Sequence, residues 1–226
     1  MNKKIKKLPQ AYEEIYEDFY KDYALSKSLF RKFASFLESW YHKEIAKMGI
    51  KNCSILEIGC GALNHVPYEK TFSRYDVIEP KNYLIKATDK KRLYSINKIY
   101  KSLDHLPCDI KYSKIISIAV LEHIDDLEQH LISIKKLIEP KGVFSVAIPA
   151  EGEFLWWISW RLTTGIGFWL KYKLDYGLLM RYEHINQASK IINLIKKYFY
   201  IEKINSFPFK IKNLRLYITL ECKSIN

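Results

Sequence analysis

Residues 54–65 read SILEIGCGALNH: an apolar run carrying one acid, Glu57, then two glycines one residue apart, Gly59 and Gly61. Glycine tolerates positive φ and presents no Cβ to a ligand, which suits a backbone loop that must approach a bound molecule. A dinucleotide loop would place a third glycine at position 64, where Asn64 stands, so that ligand class is disfavoured. Glu79 closes YDVIEP about twenty residues later, the spacing at which a carboxylate accepts hydrogen bonds from the hydroxyls of a ribose. Asp104, in SLDHLP, is placed to take the amino group of an adenine. Each residue also has a plain reading: a βα turn without a ligand, a surface acid, and a turn-forming Asp ahead of Pro107.

Three more groups are candidates for moving a proton. His123 follows the run SIAVL, and Glu183-His184 closes an aromatic segment. A histidine that titrates near neutrality can take the proton of a hydroxyl, with His123 the first choice and His184 the second. The plain alternative is helix capping by Glu122-His123 and by His184. Segment 151–184, EGEFLWWISWRLTTGIGFWLKYKLDYGLLMRYEH, holds four of the five tryptophans, Trp156, Trp157, Trp160 and Trp169. Trp156, Trp160 and Leu162 are expected on one helical face, with Arg161 and Thr163 interrupting the apolar run. Trp156, Trp157, Trp160 and Arg161 are the expected acceptor contacts, with plain packing over the sheet and contact with lipid headgroups as alternatives. FLWWISWRLTTGIGFWL is too short, and too interrupted by Arg161, to span a bilayer.

The elements that must position these groups follow from periodicity. Residues 10–48 carry Tyr12, Ile15, Tyr16, Phe19 and Tyr23, then Leu29, Phe33, Phe36, Leu37 and Trp40, at helical spacing. CSILEIG, YDVIEP, SKIISIAVL and GVFSVAIP are short bounded apolar runs, as strands buried on both faces should be. A further strand is expected before SLDHLP. Between the last two runs lies a helix with Asp125 or Asp126 as N-cap, ended by Pro140 and Gly142. Strand and helix alternating in this way predict a doubly wound, mostly parallel α/β sheet. The closing strands YIEKINSF and LRLYITLECK are joined by too few residues for a crossover, so they should form an antiparallel hairpin.

The chain has 226 residues and a formal charge of +12. Its lysines are spread along the whole length, and abundant Lys, Ile, Asn and Tyr make the charge a matter of composition rather than a nucleic-acid footprint. Only Lys3, Lys4, Lys6 and Lys7 cluster. Cys53, Cys60, Cys108 and Cys222 lack CxxC pairing or a histidine at metal spacing, which points to reduced thiols in a cytoplasmic protein with no metal site. Cys108 beside Pro107 is read as a buried structural cysteine.

As a set, LEIGCG, VIEP, LDHLP and SIAVLEHIDD resemble the class I S-adenosylmethionine-dependent methyltransferases. The resemblance covers residues 50–150 well and 183–226 loosely. It implies a Rossmann-like sheet of seven strands with an antiparallel C-terminal hairpin. It also implies S-adenosylmethionine as cofactor, held by Glu57, Gly59, Gly61, Glu79, Asp104 and Leu121. Residues 1–49 become an N-terminal helical cap, and 50–226 the core with 151–184 as an aromatic lid. Leu63 stands where many members have a third glycine, and Ser113-Lys114 replaces a usual Phe-Asp pair. The Asn/Asp-Pro-Pro-aromatic signature of base and glutamine methylation is missing, since that position reads IAVLEH. The acceptor implied is a hydroxyl of a small molecule or of a glycan- or lipid-linked compound. The alternatives are an RNA or tRNA methyltransferase and a non-catalytic cofactor-binding subunit. The location implied is the cytoplasm, with the aromatic segment open to contact with the inner face of the membrane.

Overall fold

A computed structural model describes residues 7–16 and 29–225, with side chains from residue 36 onward in the second span. The calls on Lys3, Lys4, Lys6, Phe19 and Tyr23 lie outside the described residues, as do the side chains of Leu29 and Phe33. A helix covers residues 10–16 (α1), α2 runs Leu29–Ala46, and two short helices cover Asn82–Lys86 (α3) and Lys90–Leu93 (α4). Seven strands follow: β1 Cys53–Ile58, β2 Phe72–Ile78, β3 Lys98–Tyr100, β4 Tyr112–Ile118, β5 Ile138–Pro149, β6 Phe199–Pro208 and β7 Arg215–Ser224. They form one sheet in the order β3-β2-β1-β4-β5-β7-β6. The first five pair in parallel, while β7 is antiparallel to both β5 and β6. Strand order reverses between β1 and β4, the switch point where open α/β sheets bind ligands.

Alternation along the strands splits the core in two. Leu56, Ile58, Ile115, Phe144 and Val146 face α5 (Leu127–Leu137) and α9 (Ala188–Tyr198). Ile55, Val77, Ile116 and Ala147 face Tyr41, Ile45 and Met48 of α2 and its exit turn. Asp126 caps α5, accepting from Gln129 N–H at 3.1 Å. That helix ends at Leu137, ahead of the expected Pro140, because the residues before a proline resist helical geometry and β5 already begins at Ile138. Lys114, which replaces the resembled family's Asp, is buried and pairs with Glu69 at 2.6 Å and Ile45 O at 3.0 Å. Glu69 also meets His65, whose other nitrogen faces His42 at 3.1 Å. This internal polar chain ties α2 to the segment after the glycine turn. Cys108 is exposed, contrary to its expected burial: it sits on a surface turn after Leu106, outside the sheet.

The aromatic segment is a rod: α6 (Phe154–Trp160), a π-turn (Arg161–Gly165) and α7 (Ile166–Tyr172), followed by α8 (Tyr176–Glu183). Residues 8–16 pack against it. Leu8, Tyr12, Phe168 and Leu179 form a third small core, and Tyr12 donates to Asp175 O at 3.0 Å. The chain's first described segment therefore rests on the insertion, while α2 rests on the sheet.

Candidate active site

At the carboxyl ends of β1 and β2 the chain turns through Gly59 (φ +69°) and Gly61 (φ +54°). A Cβ at Gly59 would lie 2.4 Å from Val120 Cγ2, and one at Gly61 would project into open space. Position 59 needs glycine for room and backbone conformation alike; Gly61 needs it for conformation. Leu63 (φ +56°) and Ala119 (φ +53°) occupy the same left-handed region without being glycine, a strain that such sites commonly hold. Glu79 is buried, with one carboxylate oxygen accepting from Gly61 N–H and the other from Lys81 N–H, both at 2.9 Å. The two backbone donors fix the carboxylate, and each oxygen keeps a second acceptor site.

Gly59, Gly61, Glu79 and Asp104 line one end of a cavity of about 1250 Å³, with Ile58, Leu103, Ala119 and Val120 as apolar wall. Its other end holds His123, Glu183 and His184 beneath Trp156, Trp160, Thr164 and Tyr16. His123 Nδ1 lies 3.0 Å from Glu183 O. A carbonyl only accepts, so Nδ1 carries the hydrogen, and Nε2 lies 4.0 Å from the buried Glu122 carboxylate. Tyr16 of α1 donates to the Glu183 carboxylate, so Glu183 ties the N-terminal helix to the His123 backbone contact. Glu151 accepts from Trp156 Nε1 at 2.5 Å and meets His184 Nδ1 at 3.1 Å. Burial alone would depress the His184 pKa; the Glu151 hydrogen bond and the charges of Glu122, Glu151 and Glu183 outweigh it and raise it. His184 thus tends toward the charged form, and its ring lies edge-to-face with that of His123, 4.9 Å between centroids.

Four expected contacts lie outside this cavity. Glu57 points to the opposite sheet face from Leu56 and Ile58, where Tyr75 donates to it at 2.8 Å; burial pushes its pKa to about 8. Leu121 is fully buried in the core, and its neighbours Ala119 and Val120 reach the cavity instead. Trp157 stands about 100° around the helix from Trp156 and is exposed. Arg161 stacks over Trp157 and Trp160, with its guanidinium 3.9 and 4.2 Å from the two rings, and lines a separate hollow. Leu162 shares neither the Trp156 face nor its burial. Tyr16, Leu103 and Glu151 were not singled out by sequence; Tyr16 was visible only as one of a helical stripe.

No protein-family model matches the chain. Ubiquinone biosynthesis O-methyltransferases of two Rickettsia bellii strains are 21% identical over 146 residues, 53% of this chain. The matched region spans 61% of the length of those relatives. Among solved structures, the N-methyltransferase NodS of Bradyrhizobium japonicum, bound to S-adenosyl-L-homocysteine, superposes with a TM-score of 0.64. It is 13% identical, over 96% of this chain and all of that one. An S-adenosylmethionine-dependent methyltransferase of Mesorhizobium loti gives 0.56 at 16% identity, over 81% and 96%. A possible histamine N-methyltransferase of Thermotoga maritima gives 0.57 at 14% identity, over 95% and 99%. The fold is that of the S-adenosylmethionine-dependent methyltransferases. The mostly parallel seven-stranded sheet and antiparallel last hairpin expected from sequence are those of this fold.

Proposed function

We propose that the chain is an S-adenosylmethionine-dependent methyltransferase that methylates a hydroxyl of a small or lipid- or glycan-linked acceptor. The observation that carries this reading is one cavity lined by a glycine turn, the fixed Glu79 carboxylate and His123, whose ring Glu183 O holds through Nδ1. The residues fit the cofactor: the Gly59-Gly61 turn leaves a cradle that side chains would fill, Glu79 offers acceptor sites to a ribose diol, and Asp104 can accept from an adenine amino group. Bound there, S-adenosylmethionine supplies an electrophilic sulfonium methyl.

The remaining work belongs to the chain itself. His123 Nε2 accepts the hydroxyl proton as the oxygen becomes a nucleophile, and Glu183 O holds the ring in that tautomer. Trp156 and Trp160 present apolar faces that orient the acceptor and exclude water. The cavity wall carries Lys81 and Lys101 against Glu79, Asp104, Asp125, Asp126 and Glu183. A wall with more acids than lysines repels a phosphodiester backbone and tolerates a cationic sulfonium, which favours a small acceptor over RNA. The test is methyl transfer from labelled cofactor to separated polar, lipid and RNA extracts of the source cell. Label in the polar or lipid fraction is expected. Label in RNA alone, or in no fraction, would reject the acceptor class or the activity.

A further inference from the structure

The rod over the cavity is apolar on both sides, yet among the described residues only one side is covered. Trp156, Trp160 and Thr164 turn to the cavity, and Phe168 packs under residues 8–16. The opposite side carries Phe154, Trp157, Leu162, Ile166, Trp169 and Leu170, each between 48% and 59% exposed. From Phe154 to Trp169 they recur at steps of three to five residues, the step of five falling at the wider π-turn, and Leu170 widens the stripe beside Trp169. Scattered exposed hydrophobes need no cause, but a helix apolar all round is ordinarily covered all round.

The charge on this stripe is of one sign. From Phe154 to Leu174 there is no acidic residue, while Arg161, Lys171 and Lys173 are present. Lys173 lies 4.5 Å from the Trp169 ring centroid. A hollow of about 420 Å³ opens here between Trp160, Arg161, Trp169 and Lys173. Asp175 at its edge is engaged as the N-cap of α8, accepting from Gly177 N–H at 2.8 Å. The β6–β7 hairpin tip abuts the start of the rod: Leu155 N–H donates to Asn213 O, and Asn213 N–H to Glu153, both at 2.9 Å. That tip adds exposed Phe209, Ile211 and Leu214 together with Lys210 and Lys212, again without an acid.

We propose that this face docks the protein on an anionic lipid membrane. Tryptophans flanked by lysine and arginine seat at headgroup depth, their rings among the acyl chains and the cations reaching the phosphates. No helix among the described residues is long and apolar enough to cross a membrane, so the rod lies on the surface. A second copy of the chain is the poorer occupant, because two faces of the same positive sign would repel. Docked this way, the rod is at once the membrane contact and the wall of the acceptor end of the cavity, so an acceptor with an apolar tail reaches His123 from the bilayer surface.

The test is flotation of the full chain with vesicles of phosphatidylcholine alone and of phosphatidylcholine mixed with phosphatidylglycerol, with tryptophan quenching by brominated acyl chains. Capture by the anionic vesicles, falling as salt rises, with quenching of tryptophan, is expected. The charge-neutral combination Ile166→Ser, Trp169→Ser, Leu170→Ser should cut partitioning roughly tenfold or more, since apolar burial sets the depth-dependent part of binding. Ile50→Ser with Tyr94→Ser, exposed singly elsewhere, should leave it unchanged. Absence of capture at low salt would overturn the proposal. Equal behaviour of the two variants would too, assigning the binding to the overall +12 charge. The quenching measurement uses the unaltered chain, so lack of quenching in captured protein overturns the proposal even if the triple substitution fails to fold.

Discussion

His123 and Glu57 show how placement decides what an ionisable side chain does. His123 lines the cavity with Nδ1 committed to Glu183 O and Nε2 4.0 Å from the buried Glu122 carboxylate, and its proposed role as base rests on that placement. His123→Asn should lower turnover by about a hundred- to ten-thousand-fold, the usual contribution of a positioned base, with cofactor affinity preserved in calorimetry. Retained turnover would remove the histidine from the reaction and leave alignment of the groups to carry it. Glu57 is buried beside Tyr75, and its pKa is about 8, above the unfolded value of 4.5. A raised carboxyl pKa means that the folded state holds the proton longer than the unfolded chain. The stability it confers is complete below about pH 4.5 and is lost as pH rises toward 8. The melting temperature should therefore decline between pH 5 and pH 8, and Glu57→Gln, which cannot ionise, should flatten that decline. Melting curves across this range check it.

At the scale of the element, the rod separates two tryptophans that the sequence groups together. Trp160 lines the cavity and packs edge-to-face on Tyr176 at 5.7 Å, whereas Trp157 lies outward. Trp160→Ala should raise the acceptor KM and cost about 1–3 kcal/mol of stability, less than the 3–5 kcal/mol of a fully buried tryptophan. Trp157→Ala should change stability by no more than about 0.5 kcal/mol and leave turnover of a soluble acceptor alone. Thermal melts and steady-state kinetics on the two variants distinguish these outcomes. Sequence could not separate them, because a rod aromatic on every side has no polar face to give the period a sign. The strands were legible for the opposite reason: β1, β4 and β5 are apolar runs bounded by turn residues, which is what burial on both faces demands. Asp126 as the cap of α5 was legible because capping is local.

At the scale of the whole molecule, what stayed hidden in the sequence is what depends on distant partners. Lys114 finds Glu69 across 45 residues, and Tyr16 finds Glu183 across 167. Neither pairing leaves a local pattern. Leu63 takes a left-handed conformation where glycine would be the natural choice, held there by full burial in the α2-side core. The glycine turn and Glu79 were legible because strand, turn and acid must follow one another at fixed spacing if the switch point between β1 and β4 is to hold a nucleoside. That claim is tested most directly by titration calorimetry of S-adenosylhomocysteine with the unaltered chain and with Glu79→Ala, both shown to be folded by melting. The account predicts binding to the unaltered chain, weakened in the variant by about 1.5–3 kcal/mol, roughly ten- to a hundredfold, as the ribose hydroxyls lose a charged acceptor. Failure of the unaltered chain to bind, or equal affinity in the two proteins, would contradict it.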